Sequence, residues 1–348
     1  MNGLPGPTSR PHELRMSSIY ASLTRQMQRF SVDSFTIMLV IVVTLASLVP
    51  ASGAAAIIFG KVTSFAIGLL FFLHGAKLSR EALVEGLTHW RLHVLVLCST
   101  FVLFPILGLL IKPLALAMLT PDLYLGVLFL CSLPSTVQSS IAFTSMARGN
   151  VAAAVCSASA SSFVGIFVTP VLVGLLIART SAAGGSSLDS ILTIVEQLLL
   201  PFVAGQLLRP WIGRWVDRHK PMLKIVDQGS ILLVVYTAFS EAVIEGLWHK
   251  VSLGTLAGIL VISALLLTTA LVLATVVSRK LGFSKEDEIT IVFCGSKKSL
   301  ASGVPMAKVL FAPSALGMII LPLMLFHQLQ LMVCAVLAQR FARRKSPS

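Results

Sequence analysis

Cys294-Gly295-Ser296-Lys297-Lys298-Ser299-Leu300-Ala301-Ser302-Gly303-Val304-Pro305 interrupts an apolar run. Ile289-Thr290-Ile291-Val292-Phe293 precedes it and Met306-Ala307-Lys308-Val309-Leu310-Phe311 follows it. Two adjacent lysines, three serines, two glycines and a proline thus sit inside what otherwise reads as one membrane-spanning segment. A lysine at the centre of a bilayer costs about 2.5–3.5 kcal/mol on insertion scales, so it faces a protein interior or a water-filled cavity. The rest of the chain reads as the scaffold that makes this stretch tolerable.

Composition agrees. Of 348 residues, 56% are hydrophobic and 12% charged, against about 25% charged in soluble domains. Mean hydropathy is +0.91. Apolar runs of membrane-spanning length recur, which implies an all-α membrane protein. Ten spans are expected, at 35–49, 54–75, 92–111, 123–147, 151–178, 191–212, 225–248, 253–277, 288–311 and 315–341. Turn chemistry separates several of them, at Pro50-Ala51-Ser52-Gly53, Thr120-Pro121-Asp122 and Ala182-Ala183-Gly184-Gly185-Ser186-Ser187. The leading residues are polar, hold Pro5, Pro7 and Pro11, and lack the apolar core of a signal peptide. They read as a cytoplasmic tail over 1–32, with Met16 as a second candidate start. Residues 342–348 read as a second tail. Cys98, Cys131, Cys156, Cys294 and Cys334 all lie in apolar runs without a CxxC pair, so neither a disulfide nor a zinc site is expected.

Net charge is +13. In a soluble protein this would suggest nucleic acid. Here the distribution reads as topogenic and no nucleic-acid partner is expected. Twenty of the 27 basic residues fall at one set of span ends and only Lys112, Arg179 and Lys250 at the other, while Lys61, Lys297, Lys298 and Lys308 lie within spans. That asymmetry puts both termini in the cytoplasm and fits an even number of spans in a cell membrane, with a bacterial inner membrane as the expected one.

The Gly/Ser-rich linker 180–190 divides the spans into five and five. An odd number per half gives two halves of opposite orientation. Secondary transporters are built this way, with sites at the midplane on discontinuous helices in corresponding positions. A break in span nine therefore predicts one in span four. Span four contains Leu133-Pro134-Ser135-Thr136-Val137-Gln138-Ser139-Ser140, where Pro134 removes a backbone donor and the residues after it are nearly all polar. From Leu123 to Pro134 is about 17 Å of helix, and from Glu288 to Lys297 about 14 Å. Entering from opposite faces of a core about 30 Å thick, both breaks reach the middle and cross there.

Broken helices expose N–H groups at one new end and carbonyls at the other. Together with Ser135, Thr136, Ser139, Ser140, Ser296, Ser299 and Ser302, these groups can take a cation or an anion. A membrane-buried serine can equally back-bond to its own helix, so the cluster with Pro134 and the lysines carries more weight than any one hydroxyl. The small-residue span five, with Ser157, Ser159, Ser161 and Ser162, can lie against the breaks. Lys61 and Glu241 form a candidate pair, and His327 a weaker candidate proton site.

These stretches resemble the bile acid:sodium symporter superfamily, in the branch of the seventh member of solute carrier family 10 and its bacterial relatives. The resemblance runs from about Asp33 to Arg340. Its marks are Leu70-Phe71-Phe72-Leu73-His74-Gly75-Ala76-Lys77-Leu78, Thr100-Phe101-Val102-Leu103-Phe104-Pro105, the span-four stretch, and Gly149-Asn150-Val151-Ala152-Ala153-Ala154. Ser162-Phe163-Val164-Gly165-Ile166, Thr169-Pro170, Lys298-Ser299-Leu300 and Gly303-Val304-Pro305-Met306 complete them. It implies a transporter over 33–340, with panel helices about 33–75 and 191–248 and core helices about 91–178 and 253–341. It also implies sodium-coupled uptake of organic anions by alternating access. Thr100, Pro134, Ser135, Thr136, Gln138, Ser139, Ser140, Asn150, Ser296, Lys297, Lys298 and Ser299 are the implied substrate- or ion-binding positions.

The sodium-binding pattern of that family is altered here. Its Ser-Asn pair in span four becomes Ser139-Ser140, its span-five hydroxyls fall on Ala154 and Ala158, and its span-three glutamine falls on Thr100. Its span-nine glutamate and glutamine become Phe293 and Lys297. Sodium remains conceivable at Ser139 and Ser140. However, an ammonium about 4 Å away would repel it by about 4 kcal/mol at an effective dielectric near 20. Lys297 or Lys298 is therefore expected to act as a tethered cation, donating to Ser139, Ser140 and nearby carbonyls. Since a buried lysine can also release its proton, proton coupling is a further option. The function expected is secondary transport of a small organic anion, in contact with membrane lipid, by a monomer or homodimer without a cofactor. The alternative is a membrane sensor that binds without net transport. No HExxH, GxGD or nucleophile elbow points to an enzyme.

Overall fold

Backbone polar groups have no water to turn to inside a bilayer, and segments this apolar satisfy them internally by forming helices. A computed structural model describes residues 34–77, 89–178, 188–244 and 246–344. Among these, every regular element is helical. The tail 1–32 with both candidate starts, Arg80, Glu245, most of the 180–190 linker and residues 345–348 lie outside the described residues.

The helices are α1 Ser34–Leu48, α2 Gly53–Lys77 and α3 Trp90–Cys98, the last continuing through a π turn at Ser99–Leu103 into α4 Phe104–Leu110. Then come α5 Lys112–Met118, α6 Pro121–Ser132, α7 Gln138–Met146, α8 Val151–Ala178, α9 Leu188–Arg218, α10 Lys220–Ile244 and the short α11 Leu247–Lys250. The chain ends with α12 Leu253–Lys280, α13 Lys285–Gly295, α14 Leu300–Leu310, a 3-10 turn at Pro313–Ala315, and α15 Leu316–Ala342. Among the described residues, six segments are long and apolar enough to cross a membrane, and α6 and most of α1 are shorter apolar helices. The sequence reading did not anticipate α5. It is a short, largely apolar piece whose Ala115 is buried and whose Met118 lies against Gly258 of α12.

Caps set several starts. Thr120 accepts from Leu123 N–H with Pro121 following, Ser252 from Thr255, and Ser284 from Asp287. Glu286, Asp287 and Glu288 crowd the first turn of α13, where the helix dipole favours them. Pro170, Pro201, Pro210, Pro305 and Pro322 lie inside continuous helices. A proline removes one N–H bond, and these helices continue past the gap. At Pro134 the chain instead turns extended, beginning with Leu133 at φ −76°, ψ 154°. A second interruption separates α13 from α14.

In the packing, α2 lies along α9, and α10 lies against α1 and α2. The interrupted pairs α6/α7 and α13/α14 pack among α3, α4, α8, α12 and α15. Lys61 and Glu241 do not pair: Lys61 is exposed on α2, whereas Glu241 of α10 meets Lys308 of α14 at 3.3 Å. The face of α14 that carries Lys308 turns toward α10, which decides the partner.

The α2–α9 contact is backbone to backbone. A Cβ on Gly75 would run into the Phe202 carbonyl, and one on Gly205 into the Phe72 carbonyl. Gly75→Val and Gly205→Val are therefore expected to lower stability by roughly 1–3 kcal/mol each. Gly68→Ala, with nothing within 4 Å of the added atom, is the matched neutral substitution. Thermal unfolding of the detergent-solubilised protein reads all three.

Candidate functional site

The chain leaves helical geometry at Leu133–Val137 and at Ser296–Ser299, and the two gaps touch. Ser299 N–H donates to the Pro134 carbonyl at 2.9 Å. Gly165 of α8 closes over the first gap, where a Cβ would strike Pro134 Cβ at 2.6 Å. Nearly every backbone acceptor around the gaps can be traced to a donor.

At the end of α6, Leu130 O takes Leu133 N–H, and Ser132 O takes Thr169 Oγ1 at 2.9 Å. Ser135 N–H, which would have closed on Cys131 O in a continuing helix, goes to Ser161 Oγ at 3.0 Å. Cys131 O and Leu133 O are left facing inward. At the end of α13 the donors are hydroxyls. Ser296 Oγ bonds back to Val292 O, Ser140 Oγ donates to Phe293 O at 3.1 Å, Ser135 Oγ to Cys294 O, and Ser99 Oγ to Gly295 O at 2.9 Å. Each break is thus held by groups from the other and from the π turn of the third span.

Lys297 and Lys298 are both 0% exposed. Lys298 Nζ donates to three backbone carbonyls, Thr100 O at 2.7 Å, Cys131 O at 2.9 Å and Leu133 O at 2.8 Å, and lies 4.2 Å from the Phe104 ring centroid. Its own backbone is clamped by the Gln330 amide, which accepts from Lys298 N–H and donates to Lys298 O, both at 2.9 Å. Lys297 Nζ has no hydrogen-bond partner among the described residues. It sits 4.3 Å from the Phe143 centroid and 5.4 Å from that of Phe293, where the ring faces attract a cation.

The expected tethered cation therefore has a different geometry. Neither ammonium donates to Ser139 or Ser140. Those hydroxyls bond to Thr136 Oγ1 at 2.6 and 3.2 Å. Thr100 supplies its carbonyl, while its hydroxyl back-bonds to Val96 O. Ser299 caps α14 by accepting from Ser302 N–H. Asn150 lies apart from the breaks: its Oδ1 caps α8 at Ala153 N–H and its Nδ2 donates to Asp287 Oδ1 at 2.9 Å, tying α8 to α13. It anchors the interrupted helix through one bond at each end of its amide. Ser99 and Gln330 were not singled out from the sequence; Ser161 was named as one of the span-five serines that can lie against the breaks, and does so, and Thr169 was named only as a mark of the resemblance. An amide in an apolar run was a usable signal for Gln330; the Ser99 hydroxyl gave none.

A cavity of about 700 Å³ opens between the breaks and α10, lined by Thr136, Gln138, Ser139, Ser299, Lys224 and His327 among others. His327 Nδ1 lies 2.9 Å from Gln330 Nε2. A smaller cavity of about 170 Å³ beside it is lined by His74, Lys77, Ser162 and Asp227. Lys77 and Asp227 form an ion pair there. The first turn of α7, from Val137 to Ser139, faces the larger cavity without a side-chain cap. Uncapped N–H groups at a helix start attract anions.

Ser135→Ala would leave the Cys294 carbonyl without its hydroxyl donor, and Gln330→Leu would strip both backbone bonds of Lys298. Each is expected to cost roughly 1–3 kcal/mol in thermal unfolding, the penalty of a buried unsatisfied group. Ser139→Ala, on the cavity side, should stay within about 0.5 kcal/mol of the parent.

Residues 33–343 match a family model described as the SBF-like CPA transporter family. The chain is 66% identical over 317 residues to a Pseudomonas aeruginosa protein described as uncharacterized, covering 91% of this chain and 95% of that protein. It is 61% identical over 312 residues to the Escherichia coli protein named "Putative symporter YfeH", covering 90% and 93%. The Danio rerio sodium/bile acid cotransporter 7 is 31% identical over 309 residues, covering 87% and 91%. The names of the latter two are those of transporters, not enzymes.

Proposed function

Because this chain belongs to the SBF-like CPA transporter family and is a multi-pass membrane protein, we propose that it is a secondary transporter that moves a small organic anion by alternating access. The carrying observation is the 700 Å³ cavity that lies directly on the two helix breaks and is bounded on its far side by α10. Its lining fits an anion. Lys224 contributes positive charge, the first turn of α7 offers N–H groups, and among the described residues the one lining carboxylate, Asp227, is paired with Lys77, as Lys220 is with Asp217. Thr136, Gln138, Ser139 and Ser302 add hydroxyl and amide contacts.

The mechanism follows from which parts are tied together. The breaks are stapled to one another and to α3, α8 and α15, so they travel as one body. We assign that body to a core of about 91–178 and 253–341, and α1, α2, α9 and α10 to a panel of about 33–75 and 191–248. Ten spans in two inverted halves, with both termini cytoplasmic, complete the reading. Rocking the core against the panel would expose the cavity to one side and then the other. The vertebrate relative's name includes sodium. In this chain Ser140 and the carbonyls of Phe293, Cys294 and Gly295 are already hydrogen-bonded to protein groups, so a sodium ion at Ser139 and Ser140 is not part of the proposal.

Thermal-shift screening of purified protein with matched organic anions and cations, followed by counterflow in proteoliposomes, tests this. Anions should protect and accumulate. Lys224→Gln or Gln138→Ala should raise KM roughly tenfold, the loss of one charge-assisted or polar contact. Protection by cations alone overturns the anion assignment. Binding without accumulation overturns transport in favour of a sensor.

A further inference from the structure

We propose that the Lys298 ammonium is a built-in monovalent cation: it fills, from within the chain, a cage of backbone carbonyls that would otherwise bind a free cation. The cage arises from two independent backbone irregularities. Cys131 O and Leu133 O lie at the carboxyl end of α6, where unpaired carbonyls carry partial negative charge. Thr100 O is released by the π turn. Phe104 N–H reaches back to Ser99 O instead of Thr100 O, and residue 105 is a proline with no N–H to offer in its place. Three acceptors then converge on one point from two helices, over the negative face of the Phe104 ring.

This arrangement selects for charge. A neutral amine has two N–H donors and a lone pair that would face the third carbonyl; an ammonium has three donors and no lone pair. The three carbonyls and the ring bring no carboxylate that would make a neutral ion pair, so what the cage requires is a monovalent cation. Lysine supplies it without an entropic cost of capture, since Gln330 fixes the Lys298 backbone beside the cage. The consequence for transport, which rests on the function proposed above, is that the two breaks stay locked together through the cycle without an alkali ion at this point. Lys298 is a positioning residue.

Removing the side chain beyond Cβ leaves a space shaped like propylammonium. The melting temperature of purified Lys298→Ala should fall below that of the wild type. Propylammonium chloride should then raise it by roughly 3 °C or more relative to tetramethylammonium chloride at equal ionic strength, while the wild type moves by no more than about 1 °C. Tetramethylammonium has the charge but no N–H to donate. Sodium or potassium protecting the variant and not the wild type supports the same conclusion. No difference between the two ammonium salts overturns it.

Lys298→Met keeps length and apolar contact without charge. Wild-type stability in that variant also overturns the proposal, and a loss supports it. If neither variant yields folded protein, the wild type decides: equal melting in sodium and N-methylglucamine chloride supports a resident cation, and a sodium-specific rise overturns it. These melts need no substrate. A rescued cage with no uptake in vesicles refutes transport alone, and uptake with an unrescued cage refutes the resident cation alone.

Discussion

A helix that stops inside an apolar interior leaves carbonyls that water cannot reach, and each costs several kcal/mol if nothing replaces it. This chain stops two helices in that setting, at Ser132 and at Gly295. The solution is reciprocal. Hydroxyls from the first break and the π turn serve carbonyls of the second, and an ammonium from the second serves carbonyls of the first. Each break takes backbone partners from the other, so the bonding of either depends on both being in place. Gly165 and the amide of Gln330 belong to the same requirement, the one by letting Pro134 approach and the other by replacing the missing helical bonds of Lys298.

That accounting also separates structural from functional polarity. Ser99, Ser135, Ser140 and Ser296 have hydroxyls turned onto backbone oxygens, and Asn150 has its amide spent on a cap. Thr136, Gln138, Ser139 and Ser302 line the cavity. The polar residues near the breaks therefore divide between those that hold the breaks and those that face the cavity. The adjacent lysines divide as well. In extended chain, neighbouring side chains point to opposite sides, and here one ammonium meets carbonyls while the other meets aromatic faces.

The resemblance implies breaks in these two spans, and the altered residues give their interior a different chemistry. Where the resemblance implies acidic and amide ligands, this chain has Phe293 and Lys297, and those two are in contact with each other. The substitution exchanges an oxygen-rich pocket for a cation packed on a ring. Such an exchange is internally consistent, because a cation without hydrogen-bond partners is least costly over aromatic carbon.

The sequence by itself determined the helical membrane class, the positions of both interruptions and the burial of two lysines. These follow from hydropathy over about 20 residues, from Pro134, and from charges in apolar runs, all local quantities. It could not tell which lysine holds the carbonyls, that Asn150 reaches Asp287, that Glu241 pairs with Lys308 instead of Lys61, or that Ser99, Thr169 and Gln330 complete the backbone bonding. Only the tertiary structure decided these, because the partners lie from 32 to 198 residues apart in the chain. A freed carbonyl has no residue type to betray it: Thr100 O becomes an acceptor because a π turn and Pro105 withdraw its usual donor, and a donor reaches it only when the two breaks are brought together.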